Sequence, residues 1–329
     1  MTQSMKEHSR TTSFAETVRG QVAKTVVGQT VVVERVLIAL LTGGHLLLEG
    51  VPGIAKTLLV QSVAKAIDLK FARVQFTIDL LPSDIVGADI LDQRSGEFRV
   101  HKGPIFTNLL LADEINRASP KVQSALLEAM QERKVSIGST TYELPAPFLV
   151  IATQNPVEQA GTFELPEAQL DRFMLRHRLS YLTPEDEADV VRRSLGLKLK
   201  RQGDGAVPMS AFDAIDDRSK LHIGDLTESM SRVLDVHVSD VFIRDCVELV
   251  NLTRRSPDIE LGCSPRAALS LVHASRARAF IHGRDYTVPE DFFALAEDVV
   301  LHRIRLNYDA LAAGKKPEQV LEGLLKNLA

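Results

Sequence analysis

The segment Leu46-Leu47-Leu48-Glu49-Gly50-Val51-Pro52-Gly53-Ile54-Ala55-Lys56-Thr57 constrains the fold more than any other part of the chain. An apolar run passes into a glycine-bearing loop, and Lys-Thr then opens an apolar helical pattern. That order is the grammar of a phosphate-binding P-loop. Such a loop needs a buried strand before it and a helix N-terminus after it, where backbone N–H groups wrap around phosphates. The expected nucleotide-binding residues are Gly50, Pro52, Gly53, Ile54, Ala55, Lys56, Thr57 and Leu58. Lys56 neutralises charge on the terminal phosphates, and Thr57 offers its hydroxyl to Mg²⁺. The usual pattern has glycine immediately before the lysine, where this chain has Ala55. The competing reading is a strand–turn–helix junction that merely contains Gly and Pro.

Two later strand ends decide between these readings. Leu109-Leu110-Leu111-Ala112-Asp113-Glu114 is an apolar strand ending in two acids, which fits a Walker B element. Asp113 is expected to hold Mg²⁺, and Glu114 to polarise the attacking water as general base. On its own, a strand leading into an acidic turn reads equally well. Ile151-Ala152-Thr153-Gln154-Asn155-Pro156 ends a further strand. Its Asn155 is placed to hydrogen-bond the attacking water and the γ-phosphate, in the crevice at the carboxyl ends of the strands. The bland alternative is a turn Asn before Pro.

Two arginines have no obvious job within their own segments. Arg172, in Leu165-Pro166-Glu167-Ala168-Gln169-Leu170-Asp171-Arg172-Phe173, lies near the end of a short helix before the strand 174–179. In a ring it could reach a neighbour's γ-phosphate, a task that suits a planar, always charged guanidinium. Its alternative is a surface salt bridge to Asp171 or Glu167. Arg266 follows Ser264-Pro265, which read as the cap and first position of a helix. A cation there opposes the macrodipole, so an offsetting anion would explain its placement, the alternative being a solvated Arg.

Strands alternate with helices up to Ser180, which implies α/β architecture with a parallel sheet covered on both faces. Residues 80–103 read as an inserted hairpin or helical excursion. Lys134–Ile137 with Thr141–Leu144 reads as a second hairpin around Gly138, and Ser119-Pro120 as the start of a helix to Gln131. From Thr183 the pattern becomes helix after helix, broken by an expected loop over 201–209. The expected division is a flexible tail over 1–13, a nucleotide-binding core over 14–182, and a linker with an all-α domain over 183–329.

The ordered set resembles the AAA+ ATPase superfamily and, within it, the MoxR family. The blocks that carry the resemblance are Gly-Val-Pro-Gly-Ile-Ala-Lys-Thr (50–57), Ala-Asp-Glu-Ile-Asn-Arg-Ala (112–118), Ala-Thr-Gln-Asn-Pro (152–156), the 165–173 block and Ser-Pro-Arg-Ala (264–267). Ala55 is then a family mark. Val27-Gly28-Gln29 is similar to the segment that contacts adenine in such proteins. The resemblance implies an αβα P-loop core followed by an all-α lid. It implies ATP and Mg²⁺ as cofactors and a homo-oligomeric, usually hexameric ring with a chaperone-like remodelling role. It also implies partners that carry a von Willebrand factor A domain. Arg266 becomes a sensor acting in cis or in trans, which the sequence leaves open. A metal-chelatase motor subunit is a nearby alternative.

A DNA-associated motor is the alternative of a different class, and charge speaks against it. The net charge is −4, and the hairpin over 133–147 carries Arg133 and Lys134 followed by Ser, Thr, Tyr and Glu. That is poor material for gripping phosphates. The two cysteines and nine histidines show no metal-type spacing. No apolar run approaches a membrane span, and the N-terminus has no apolar signal region, so a cytoplasmic protein is expected.

Overall fold

The computed structural model describes residues 14–51, 53–93, 96–156, 161–196, 199–202, 205–209, 215 and 221–328. The expected tail over 1–13 and Pro52 lie outside them.

Five short apolar runs become one parallel sheet in the order β2-β5-β8-β1-β9. They are β1 (Leu46–Glu49), β2 (Phe71–Gln75), β5 (Leu109–Asp113), β8 (Leu149–Gln154) and β9 (Leu175–Arg178). Both faces are apolar because both are covered. Leu46, Leu48, Leu109, Leu111, Leu149 and Ile151 pack into one cluster, whereas Leu47, Leu110, Ala112, Val150 and Ala152 pack into the other. Each large apolar side chain among them contributes about 1.5–3 kcal/mol relative to exposure.

The first face is covered by α1 (residues 14–22), α2 (Thr30–Thr42) and α3 (Lys56–Ala66). The second is covered by α4 (Pro82–Val86) and α5 (Pro120–Glu132), with the hairpin β6 (Lys134–Ile137) and β7 (Thr140–Glu143). Ser119 takes the cap position of α5, but its side chain makes no capping bond. The 80–103 segment is both expected things at once, α4 followed by the hairpin β3 (Gly87–Asp92) and β4 (Glu97–Lys102).

Beyond β9 and the short α6 (Glu167–Leu170), the chain is mainly helical. It contains α7 (Pro184–Leu195), α8 (Ile223–Leu234), α9 (Asp240–Arg255), α10 (Pro265–Ile281), α11 (Pro289–Val300), α12 (Tyr308–Ala312) and α13 (Pro317–Lys326). One expectation fails here, and a second is refined. The loop over 201–209 belongs to an antiparallel hairpin, β10 (Leu199–Gln202) with β11 (Gly205–Pro208). Its Gly and Pro read as loop residues, yet Pro208 falls at the end of the ladder, where a missing N–H does little harm. The second region is not purely helical either. β12 (Ile259–Leu261) pairs with β13 (Arg305–Leu306), and Ile259 and Leu306 share a small core with Ala310 and Val320. Strands of two or three residues are too short to show a period.

One hydrophobic cluster continues from the first face of the sheet through α2 into α8, α9, α10 and α11. Ten of the thirteen residues of α2 are buried, Glu34 and Arg35 among them. Arg35 donates to Asp298 of α11 at 2.5 Å, and Glu34 pairs with Arg19, Arg278 and His282.

Candidate nucleotide site

The loop after β1 leaves the sheet at its carboxyl edge, between β8 and β9. Gly50 donates its N–H to the Gln154 carbonyl at 3.2 Å. A Cβ on Gly50 would stand 2.5 Å from Ile54 Cδ1 and 3.1 Å from Leu179 Cβ, so a side chain would collide there. Gly53 and Ala55 both take positive φ, 88° and 58°. For alanine the left-handed region costs roughly 1–2 kcal/mol, so this turn stores strain at the start of α3. Lys56 opens α3 and donates from Nζ to the Gly50 carbonyl at 2.6 Å. Burial pulls its pKa below the usual lysine value, against the opposing pull of Asp113 and Glu114. Leu58, the third residue of α3, packs against the main core.

The acidic pair sits at the end of β5. Asp113 Oδ2 lies 3.4 Å from Thr57 Oγ1 and accepts two bonds from Arg73, at 3.0 and 2.7 Å. Its Oδ1 accepts from the Thr153 hydroxyl at 2.6 Å, and that hydroxyl accepts the Glu114 N–H at 2.8 Å. Glu114 adopts φ 58°, a strained setting for a non-glycine residue. Its carboxylate accepts from Gln75 at 2.8 Å and pairs with Arg117 at 3.4 Å. Asn155 follows β8 and is buried. Lys56, Thr57, Asp113, Glu114 and Asn155 therefore stand together at the carboxyl ends of β1, β5 and β8.

Two hard oxygens, the Thr57 hydroxyl and the Asp113 carboxylate, face each other at the loop. That donor set fits Mg²⁺, which binds through one or two protein oxygens and takes its other ligands from phosphate and water. Thr57 and Asp113 would hold the ion, which supplies neutralisation of phosphate charge. Sequence alone assigns no role to Arg73, Gln75 or Thr153. They are ordinary strand residues until β2 is paired to β5 and β8 to β5.

Val27, Gly28 and Gln29 run between α1 and α2. Gly28 has φ 70°, and a Cβ there would meet Asp186 Oδ2 at 2.6 Å and Leu182 Cδ2 at 3.0 Å. Thr25 and Ser62 of α3 share a hydroxyl bond at 2.8 Å, which ties this segment to the P-loop helix. Phe163 donates its N–H to the Asn116 carbonyl at 2.7 Å.

Arg172 and Arg266 lie elsewhere. Both line a pocket of about 320 Å³ together with Gly43, Gly44 and His45, which precede β1, and Arg133. This is the amino-terminal edge of the sheet. Gly44 and Gly50 lie six residues apart on either side of β1, about 20 Å at the rise of an extended strand. Arg172 pairs with neither Asp171 nor Glu167. It donates to the Leu127 carbonyl of α5 at 2.8 Å. The anion expected beside Arg266 is Asp171, 3.8 Å away. Ser264 does cap α10, by accepting the Arg266 N–H at 3.2 Å.

The family model described as "ATPase family associated with various cellular activities (AAA)" matches residues 45–175, and that of the AAA lid domain matches 251–324. Chaperone MoxR1 of Mycobacterium tuberculosis is 43% identical over 312 residues, covering 94% of this chain and 80% of the relative. The chain belongs to the MoxR family of AAA+ ATPases. Protein MoxR of Methylorubrum extorquens is 32% identical, covering 87% of this chain and 86% of the relative. The crystal structure of a candidate ATPase from Cytophaga hutchinsonii superposes with a TM-score of 0.84 at 43% identity, covering 99% and 98% of the two chains. The αβα core followed by a helical lid is thus the fold of this MoxR-family chain. Among its described residues, no helix is long and apolar enough to cross a membrane.

Proposed function

We propose that this MoxR-family chain hydrolyses ATP with Mg²⁺ in a ring of identical copies, each catalytic centre being completed by the next copy. The observation that carries this reading is the division of the site between two edges of one sheet. Lys56, Thr57, Asp113, Glu114 and Asn155 stand at the carboxyl edge, whereas Arg172 and Arg266 share a pocket at the amino edge. No arginine side chain spans that separation, so both guanidinium groups serve a P-loop on another copy.

Within one copy, the backbone of residues 50–58 and the Lys56 ammonium bind the phosphates, and Val27 and Gly28 border the adenine. Glu114 accepts the proton of the attacking water, and Asn155 orients that water against the γ-phosphate. Arg172 and Arg266 of the neighbour meet the charge that spreads over the transferred phosphoryl oxygens. Supplying such an arginine is worth about 10³–10⁵ in kcat. Residues 14–182 act as the nucleotide-binding core and 183–329 as linker and lid. The ring is hexameric and cytoplasmic, and it remodels protein clients together with a von Willebrand factor A domain partner. The naming of MoxR1 as a chaperone supports this direction.

The test uses Glu114→Gln, which removes the base and keeps the nucleotide site. The variant is expected to bind ATP without turnover and to retain ring assembly and its protein partners on affinity isolation. Normal turnover would refute the role of Glu114, and recovery of DNA alone would overturn the remodelling reading.

A further inference from the structure

Asp171 stands between the two arginines of the amino-edge pocket and makes more contacts than either. Its Oδ1 accepts from Arg303 Nε at 2.8 Å. Both of its oxygens accept from the Ser264 hydroxyl, at 3.1 and 2.9 Å, and Arg266 lies 3.8 Å away. Arg303 is an unusual partner, because its side chain is only 2% exposed. The same guanidinium donates to the Phe173 carbonyl at 2.6 Å and the Met174 carbonyl at 3.3 Å. A buried arginine of the helical region therefore wraps the turn that carries Arg172.

The sequence places each pocket arginine beside one end of this clip. Arg172 directly follows Asp171, and Arg266 lies two residues after Ser264, whose hydroxyl also accepts its N–H. The Asp171 carboxylate thus fixes the distance between a loop of the core and the first turn of α10. Neither arginine needs the clip in order to fold. Arg172 has its own anchor on Leu127, and Arg266 is largely exposed. What the clip supplies is their relative placement, and guanidinium groups that meet one phosphoryl oxygen set must be held to a fraction of an ångström.

We propose that Asp171 is a positioning residue which, through Arg303 and Ser264, sets Arg172 and Arg266 in register as one unit for the phosphates of the neighbouring copy. The inference rests on the reading that both arginines act between copies. It goes beyond that reading by making the core turn and the lid helix a single phosphate-directed element.

The experiment is subunit complementation in the full chain. Asp171→Asn keeps the shape of the side chain and removes its charge. Its kcat is expected to fall by about 10- to 100-fold, while KM for ATP stays within about twofold, because the P-loop of the same copy is untouched. Mixing with Lys56→Ala subunits should restore part of the turnover. Such subunits have a dead P-loop but an intact arginine pair to offer. A merely structural defect in the Asp171→Asn copy would not be restored by its neighbour. Ser264→Ala removes only a hydroxyl and is the deciding variant if Asp171→Asn does not fold. Its kcat should fall by about threefold or more, with the same recovery on mixing.

Wild-type kcat in both variants overturns the proposal, as does a loss that mixing does not restore while that of Arg172→Ala is restored. Should Arg172→Ala and Arg266→Ala themselves fail to recover with Lys56→Ala, the shared-site reading falls first and this inference falls with it.

Discussion

Thr153 is fully buried in β8, and its hydroxyl bridges the two acids of the candidate site. It donates to Asp113 at 2.6 Å and accepts the Glu114 N–H at 2.8 Å. Thr153→Val keeps the shape and removes both bonds. A hydrogen bond to a charged group is worth about 1.5–3 kcal/mol, and an orphaned buried amide costs about 1–3 kcal/mol. The methyl that replaces the hydroxyl returns about 0.8 kcal/mol by burial, and Arg73 still satisfies the other Asp113 oxygen. The net expected loss is about 2–5 kcal/mol. The same change frees the strained backbone at Glu114 (φ 58°), so kcat should fall on the order of tenfold or more. Urea unfolding and steady-state ATPase of Thr153→Val, with Thr153→Ser as the hydroxyl-retaining control, measure both. A valine variant within about 1 kcal/mol of the parent and with unchanged kcat would refute the reasoning.

Lys56→Ala should abolish ATP binding, measured by calorimetry, without lowering the melting temperature, because the fold disfavours this half-buried charge. Ala55→Gly should raise stability by roughly 0.5–1 kcal/mol in urea unfolding, since glycine adopts φ 58° without the alanine penalty. His45 is expected to make the fold acid-sensitive. Its Nδ1 accepts the Val150 N–H, its Nε2 lies 3.1 Å from the Met130 carbonyl, and burial lowers its pKa to about 4. A depressed folded pKa gives stability that is complete above the unfolded value of about 6.5 and is lost as pH falls toward 4, here about 3 kcal/mol in all. Urea midpoints at neutral and acid pH should therefore separate less in His45→Gln than in the parent chain.

The sheet was legible because its strands are continuous apolar runs buried on both faces. β1 is the apolar run Leu46–Glu49 that precedes the loop, and β5, β8 and β9 fall within a residue or two of the runs that end in Asp113, precede Asn155 and follow Phe173. The P-loop and the acidic pair were legible because their chemistry depends on neighbours in sequence. Arg73 and Gln75 were not. They alternate on β2 as polar strand residues do, and they reach Asp113 and Glu114 only once the register sets Gln75 beside Asp113. Asp171 was legible only as a partner for Arg172, and its true partners come from α10 and the turn after α11. The macrodipole argument asks for an anion near Arg266, but a helix terminus does not say which chain segment supplies it, and Asp171 lies 3.8 Å away. The hairpin β10–β11 escaped because its Gly and Pro read as loop residues, and the β12–β13 ladder because two or three residues carry too little pattern.

The near-complete burial of α2 has a mechanical consequence. This helix is a shared keel. Its apolar side chains belong to the cluster of the sheet and of the lid helices at once, and Glu34 and Arg35 are ion-paired to α10 and α11. Rotating the lid against the core would expose apolar surface and strand buried charges in the same step. In the proposed ring, each copy would then turn as a stiff block, and the joints would lie at the seams between copies, beside the pocket of Arg172 and Arg266.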